Sequence, residues 1–207
     1  LFGAQWAYEV LGWGGYWAWD PVENASLMPW LLGTAYLHSA MIQEKKNMLK
    51  VWNMVLILLT FGFSIFGTFL TRSGVVSSVH AFGQSSLGYW FLGFLGLTAV
   101  SGGLLLNYRL PKLKSENQLD SLLSPESSFL FNYVILVGLT FAIFWGTIFP
   151  IISEAVRGTK VSVSTPFFNQ VSTPIGLGLL LLTGICPLLS WRKASQANLN
   201  RHFLIPA

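Results

Sequence analysis

Five long apolar runs constrain this chain more than any other feature. They cover residues 27–43, 50–72, 88–108, 129–152 and 172–191. Each is close to the ~20 residues with which a helix crosses a bilayer. Lipid offers backbone amides no outside partner, so closed hydrogen-bonded helices are the spanning form that such runs can take. Charged residues make up only 10% of the 207 positions, against about 25% in soluble domains. That is too little charge to cover a water-facing surface. The sequence predicts an all-α, polytopic membrane bundle of one domain, with five spans and an external segment over residues 1–26.

Net charge is +4, but the placement of the basic residues argues for topology and against a nucleic-acid partner. Lys45, Lys46, Lys50, Arg109, Lys112, Lys114, Arg192, Lys193 and Arg201 fall on one side of the spans, and Arg72, Arg157 and Lys160 on the other. The positive-inside tendency puts the richer side in the cytoplasm, so residues 1–26, 73–87 and 153–171 face outward. Cys186 is the single cysteine, so no disulfide framework or CxxC pair exists. It reads as a packing residue in the last run. Residues 109–128 read as a polar linker, and Gly93, Gly96, Gly102 and Gly103 as sites of close helix packing. The chain opens on Leu1 within patterned sequence, which suggests a truncated, processed or split protein.

The stretch "GWGGYWAWDPVENASLMPW", residues 12–30, holds Trp13, Trp17, Trp19 and Trp30 beside Asp20 and Glu23. Asp20 reads as a helix N-cap, Pro21 as the first helical residue and Glu23 as the partner that completes a capping box. Pro29 should bend the helix that follows. An aromatic belt explains one or two tryptophans at a membrane surface. The density here, interrupted by Gly12, Gly14 and Gly15, reads better as a floor for a planar apolar ligand.

There are three histidines. His38 falls inside the first run, about 25 Å along a helix that begins at Pro21. An ionisable group there is a functional candidate, and a neutral imidazole is a ready axial ligand for haem iron. A neutral imidazole bonded to a neighbouring helix is the structural alternative. His80 lies in "TRSGVVSSVHAFGQSS", where Val75, Val76, Val79 and Phe82 have the spacing of a short surface helix. It is either an ordinary surface histidine or a second iron ligand beside the tryptophan floor, with Arg72 near enough to meet a haem propionate. His202 has no supporting context. No serine-hydrolase order, HExxH motif or phosphate loop occurs in usable context.

"WGGYWAWDPVENASLMPWLLGTAYLHS" resembles the WWD motif of haem-handling membrane proteins. With "LTRSGVVSSVHAF", "GTIFP" and "VSTPFFNQV", the chain more closely resembles the CcmF-type haem lyases of cytochrome c maturation. The resemblance covers most of residues 3–193. It implies that His38 is one of two transmembrane ligands to a haem b, and that His80 is one of two external ligands to a haem delivered transiently as substrate. It implies a WWD haem surface of Trp13, Gly14, Gly15, Trp17, Trp19, Asp20, Pro21, Glu23 and Asn24. Tyr16 and Ala18 depart from the family's commoner aromatic pair, and the second histidine of each pair has no matching position. The implied reaction is thioether attachment of haem to the CxxCH of apocytochrome c. The implied partners are apocytochrome c, a haem chaperone, thiol-reducing or apocytochrome-presenting subunits, the remainder of a split lyase and a quinol donor. The implied location is the bacterial inner membrane, or alternatively the mitochondrial one. Two other functions fit the residues: haem transfer or export without bond formation, and a structural subunit that binds no haem.

Overall fold

A computed structural model describes residues 2–10, 16–78, 80–81, 85–114 and 125–185. Its elements are helical: α1 (Phe2–Val10), α2 (Pro21–Lys46), α3 (Lys50–Ser73), α4 (Leu87–Arg109) with a 3₁₀ turn at Leu110–Leu113, α5 (Pro125–Arg157) and α6 (Thr165–Ile185). This is the expected all-α membrane bundle. Trp13, Gly14, Gly15, Val79, Phe82, Cys186, Arg192, Lys193, Arg201, His202 and residues 115–124 of the 109–128 linker lie outside the described residues.

The bundle is built outward from α2. Its buried residues, Asn24, Ala25, Met28, Leu31, Leu32, Ala35, Ser39 and Ile42, recur at the three-and-four spacing that makes one continuous helical stripe. On α5 the buried residues Asn132, Tyr133, Leu136, Thr140, Ile143 and Thr147 have the same spacing. The two stripes face each other in antiparallel register. Asn24 bonds Thr147 at one end and His38 bonds Asn132 further along, so fourteen residues down α2 match fifteen residues up α5. The other flank of α2 packs on α3, α4 packs on α3, and α6 packs on α5. Across the bundle the order is therefore α4, α3, α2, α5, α6.

Four described helices, not five, are long and apolar enough to cross a membrane: Lys50–Ser73, Leu87–Leu113, Phe129–Arg157 and Thr165–Ile185. The expected first span, 27–43, lies within α2, which is long enough but not apolar enough. The reason is its surroundings. Residues enclosed by α3 and α5 meet protein rather than lipid, so Asn24 and Ser39 are tolerated there. The last span begins at Thr165, seven residues before the expected 172, and α5 runs on to Arg157. α2 continues through Pro29, α5 through Pro150 and α6 through Pro174.

The connections are tight where the termini require it. Asn47 and Leu49 both take the left-handed conformation, with φ of 56° and 63°, to reverse the chain between α2 and α3. Asn53 then donates a short hydrogen bond from Nδ2 to Gln43 Oε1 across that turn. At the opposite end α3 stops at Gly74, whose φ of 68° suits glycine. The chain that follows is irregular through Ser78, so the expected surface helix over Val75 and Val76 does not form. Val76 is instead buried in the core. It serves as an anchor for the connection.

Gly88 seats α4 against the end of α3. A Cβ there would lie 2.9 Å from Ser73 Cα, whereas one at Gly93 would meet nothing within 4 Å. Gly88→Ala should therefore cost about 1–3 kcal/mol, and Gly93→Ala should be neutral or slightly stabilising. Thermal unfolding of both variants in detergent checks this, and equal midpoints would contradict the packing.

Candidate functional site

The start of α2 is fixed by its own side chains. Asp20 Oδ2 accepts from Val22 N–H at 3.0 Å, and Glu23 Oε2 accepts from Asp20 N–H at 3.1 Å and Ala18 N–H at 3.0 Å. This is the capping box expected from the sequence, with Pro21 opening the helix. It also ties Ala18 to Glu23, so the cap holds the aromatic segment that precedes it.

Trp19 is the hinge of that segment. Its φ of 58° is an outlier for a bulky side chain, and such a residue persists only where its surroundings over-determine it. Those surroundings come from three helices. Asn24 donates from Nδ2 to Trp19 O at 3.2 Å and to Thr147 Oγ1 at 3.1 Å. The indole stacks on Phe168, with ring centroids 5.2 Å apart and planes 11° from parallel, and donates from Nε1 to Asn169 Oδ1 at 2.8 Å. Thr165 donates from Oγ1 to Ala18 O at 3.3 Å. Gly146 makes the stack possible, because a Cβ there would lie 2.7 Å from Phe168 Cε1.

The tryptophans thus divide into two kinds. Trp19 is a clamp whose ring is already stacked on protein. Trp17, edge-on to Trp19 at 5.8 Å, is 45% exposed, and Tyr16 is 94% exposed. Of the aromatic residues of that stretch, Trp17 and Tyr16 ahead of α2 and Trp30 farther along it have substantial open surface among the described residues.

His80 joins this end of the bundle through Asp20. Its Nδ1 lies 3.3 Å from Asp20 Oδ2, the oxygen that also accepts from Ser78 Oγ and from Val22 N–H. Ser78 Oγ in turn accepts from His80 N–H at 3.0 Å. Arg72 occupies the last turn of α3 at the same end, where its carbonyl accepts from Ser85 Oγ at 3.1 Å. Lys160 Nζ donates to Val75 O at 3.1 Å, which ties the α5–α6 connection to the α3–α4 connection. Residues 16–20, 72–78, 80–81 and 160–169 therefore share one end.

His38 belongs to a separate place. Its Nδ1 lies 3.1 Å from Asn132 Oδ1 and its ring is tilted against Phe129 at 5.7 Å. Eighteen residues of α2 separate it from Asp20, about 27 Å of helix. The two histidines are not brought together, and no group of three or more His, Cys, Asp or Glu suited to a metal occurs among the described residues.

In both places an oxygen acceptor engages Nδ1. A carboxylate oxygen beside Nδ1 favours, for a neutral His80 imidazole, the tautomer that carries its proton on Nδ1. The amide oxygen of Asn132 favours the same tautomer at His38. This is the arrangement by which histidines that hold metals are oriented, so both side chains fit the axial ligation of a haem.

Sequence reading did not single out Asn132, Thr147, Phe168, Asn169 or Ser78. Their partners are 58 to 150 residues away along the chain, beyond any local period. The available signal was the set of phrases "LTRSGVVSSVHAF", "GTIFP" and "VSTPFFNQV". They contain Ser78 and His80, then Gly146 and Thr147, then Thr165, Phe168 and Asn169, and all meet at the WWD segment.

Residues 1–77 match the family model described as cytochrome C assembly protein. The chain is 45% identical to a cytochrome c-type biogenesis protein, ccl1, of Rhodobacter capsulatus, covering 99% of this chain and 31% of that one. It is 41% identical to the cytochrome c-type biogenesis protein CcmF of Escherichia coli, covering 93% and 30% respectively. Among solved structures it is similar to "Cytochrome c Heme Lyase CcmF", with a TM-score of 0.70 and 41% identity over 94% of this chain and 28% of that one. The chain thus spans about 30% of the length of these relatives.

Asn24→Ala removes the donor that holds both Trp19 O and Thr147 Oγ1. It should cost about 1–3 kcal/mol and diminish the near-ultraviolet circular dichroism of the immobilised indole. Ser26→Ala, on the exposed side of the same turn, should stay within about 0.5 kcal/mol. Equal behaviour of the two variants would contradict the clamp.

Proposed function

The chain belongs to the CcmF-type family of cytochrome c biogenesis proteins over the portion of their length that it matches, and on that premise we propose that it carries the haem-docking part of a cytochrome c haem lyase. The observation that supports this most directly is an oriented histidine at the same end of the bundle as exposed aromatic residues: His80 is bonded to Asp20, which follows Trp17 and Tyr16 by three and four residues in the chain.

In this reading His80 supplies one axial nitrogen to substrate haem, and Trp17 and Tyr16, with Trp13, Gly14 and Gly15 of the same motif, offer it a face. Trp19, Asp20, Pro21, Glu23 and Asn24 shape and brace that surface. Arg72, at the same end, supplies a cation suited to a propionate. Haem docked there presents two vinyl groups, to which the thiols of a CxxCH apocytochrome add to give thioether bonds. The protein contributes orientation and exclusion of water. His38, oriented by Asn132 within the bundle, holds a resident haem b. The end that carries His80 faces outward from a bacterial inner membrane, by the charge asymmetry. Apocytochrome c, a haem chaperone and thiol-reducing subunits approach it from that side.

His80→Ala should abolish covalent haem attachment to a co-expressed apocytochrome c in cells carrying the complete protein and its maturation system. Trp17→Ala, which removes a contact worth about 0.5–1.5 kcal/mol, should lower the yield severalfold. Haem staining of the client cytochrome reads both. A normal yield with His80→Ala would remove that residue from the mechanism.

A further inference from the structure

Capping α2 does not exhaust Asp20. A helix start is satisfied by one or two backbone donors, and Val22 N–H with the Glu23 half of the capping box supplies that role. Yet the same Oδ2 reaches across 58 and 60 residues of chain to accept from Ser78 Oγ and His80 Nδ1. Ser78 is not a bystander, because its Oγ also accepts the backbone N–H of His80. Ring and backbone of His80 are therefore both referred to one carboxylate oxygen, and that oxygen is fixed to the first turn of α2. The side chain of Asp20 is 15% exposed and that of His80 31%, so the bond is partly shielded from water.

We infer that Asp20 is a positioning residue for His80: it holds the proton on Nδ1, sets the plane of the ring and registers the Nε2 lone pair against the WWD surface that it also caps. The proposal rests on the reading of His80 as an axial ligand. A carboxylate behind a ligating histidine fixes its tautomer and direction, and its loss typically weakens the site by about 10–100-fold. Asp20 would then couple two requirements in one atom. The oxygen that caps the first turn of α2 would also aim the ligand.

The test separates orientation from capping. In the complete membrane protein loaded with haem, His80→Gly deletes the ligand, and added imidazole restores the low-spin spectrum by occupying the vacated position. 1-Methylimidazole binds iron equally through its bare nitrogen but has no N–H to donate. Asp20→Ser keeps a good N-cap residue while replacing the carboxylate that faces position 80 with a shorter, neutral hydroxyl. In His80→Gly, imidazole should rescue at least about 10-fold more tightly than 1-methylimidazole, and adding Asp20→Ser should erase that difference. Asp20→Asn, which keeps both the cap and an acceptor oxygen, should be intermediate, and it serves as the comparison if Asp20→Ser does not fold. Equal rescue by the two imidazoles, or a preference unchanged by Asp20→Ser, would overturn the role of Asp20 and leave His80 as a ligand. A wild-type spectrum in His80→Gly without any imidazole would overturn the ligand assignment itself, and the positioning role with it.

Discussion

Lipid gives a buried polar side chain no partner, so a helix carrying Asn24, His38 and Ser39 has to be enclosed by other helices. Enclosure of α2 between α3 and α5 is the constraint on which the remaining structure depends. The seam with α5 is bridged by polar pairs at two levels, Asn24 with Thr147 and His38 with Asn132, and between them Thr140 bonds only within its own helix, to Leu136 O, amid apolar packing. Two such bonds at matched intervals fix the register. A slip of one turn would strand both pairs. With the register fixed, the start of α2 must lie beside the end of α5, the beginning of α6 and the connection that leaves α3.

That meeting point explains why the aromatic segment looks as it does. Trp19 sits in a conformation that an L-residue adopts reluctantly and is held there by Asn24, Phe168 and Asn169. The density of tryptophan therefore does not reflect several equivalent stacking faces. One indole locks the segment to α6, while Trp17 and Tyr16 remain turned to the surroundings. Such a division suits a site that has to be rigid beneath and open above.

Much of this was legible in the sequence, unevenly and for physical reasons. Capping is a local code, so Asp20, Pro21 and Glu23 read correctly. Apolar runs gave α3, α4 and α5 close to their true bounds. Over α2 the apolar run, 27–43, is shorter than the helix, Pro21–Lys46, because polar residues such as Asn24 face protein rather than lipid. Valine spacing over residues 75–82 suggested a helix, but Gly74 and the bonds of Ser78 keep the described part irregular, with Val76 drawn into the core. The partners of both histidines and of Trp19 were invisible to periodicity, since contacts across 60 to 150 residues leave no local mark. They surfaced only as phrases shared with a family, and the fold supplied the reason that those phrases travel together.

In the proposed function α2 is a spacer between two histidines that would hold haem independently, one within the bundle beside Asn132 and one at the aromatic end beside Asp20. A reduced-minus-oxidised spectrum with pyridine haemochrome quantitation, taken on the detergent-purified complete protein and its His38→Ala and His80→Ala variants, tests that most directly. A resident b-type haem should be lost with His38→Ala and kept with His80→Ala. Retention of the full b-type signal in His38→Ala, or its loss in His80→Ala, would contradict the separation of the two sites.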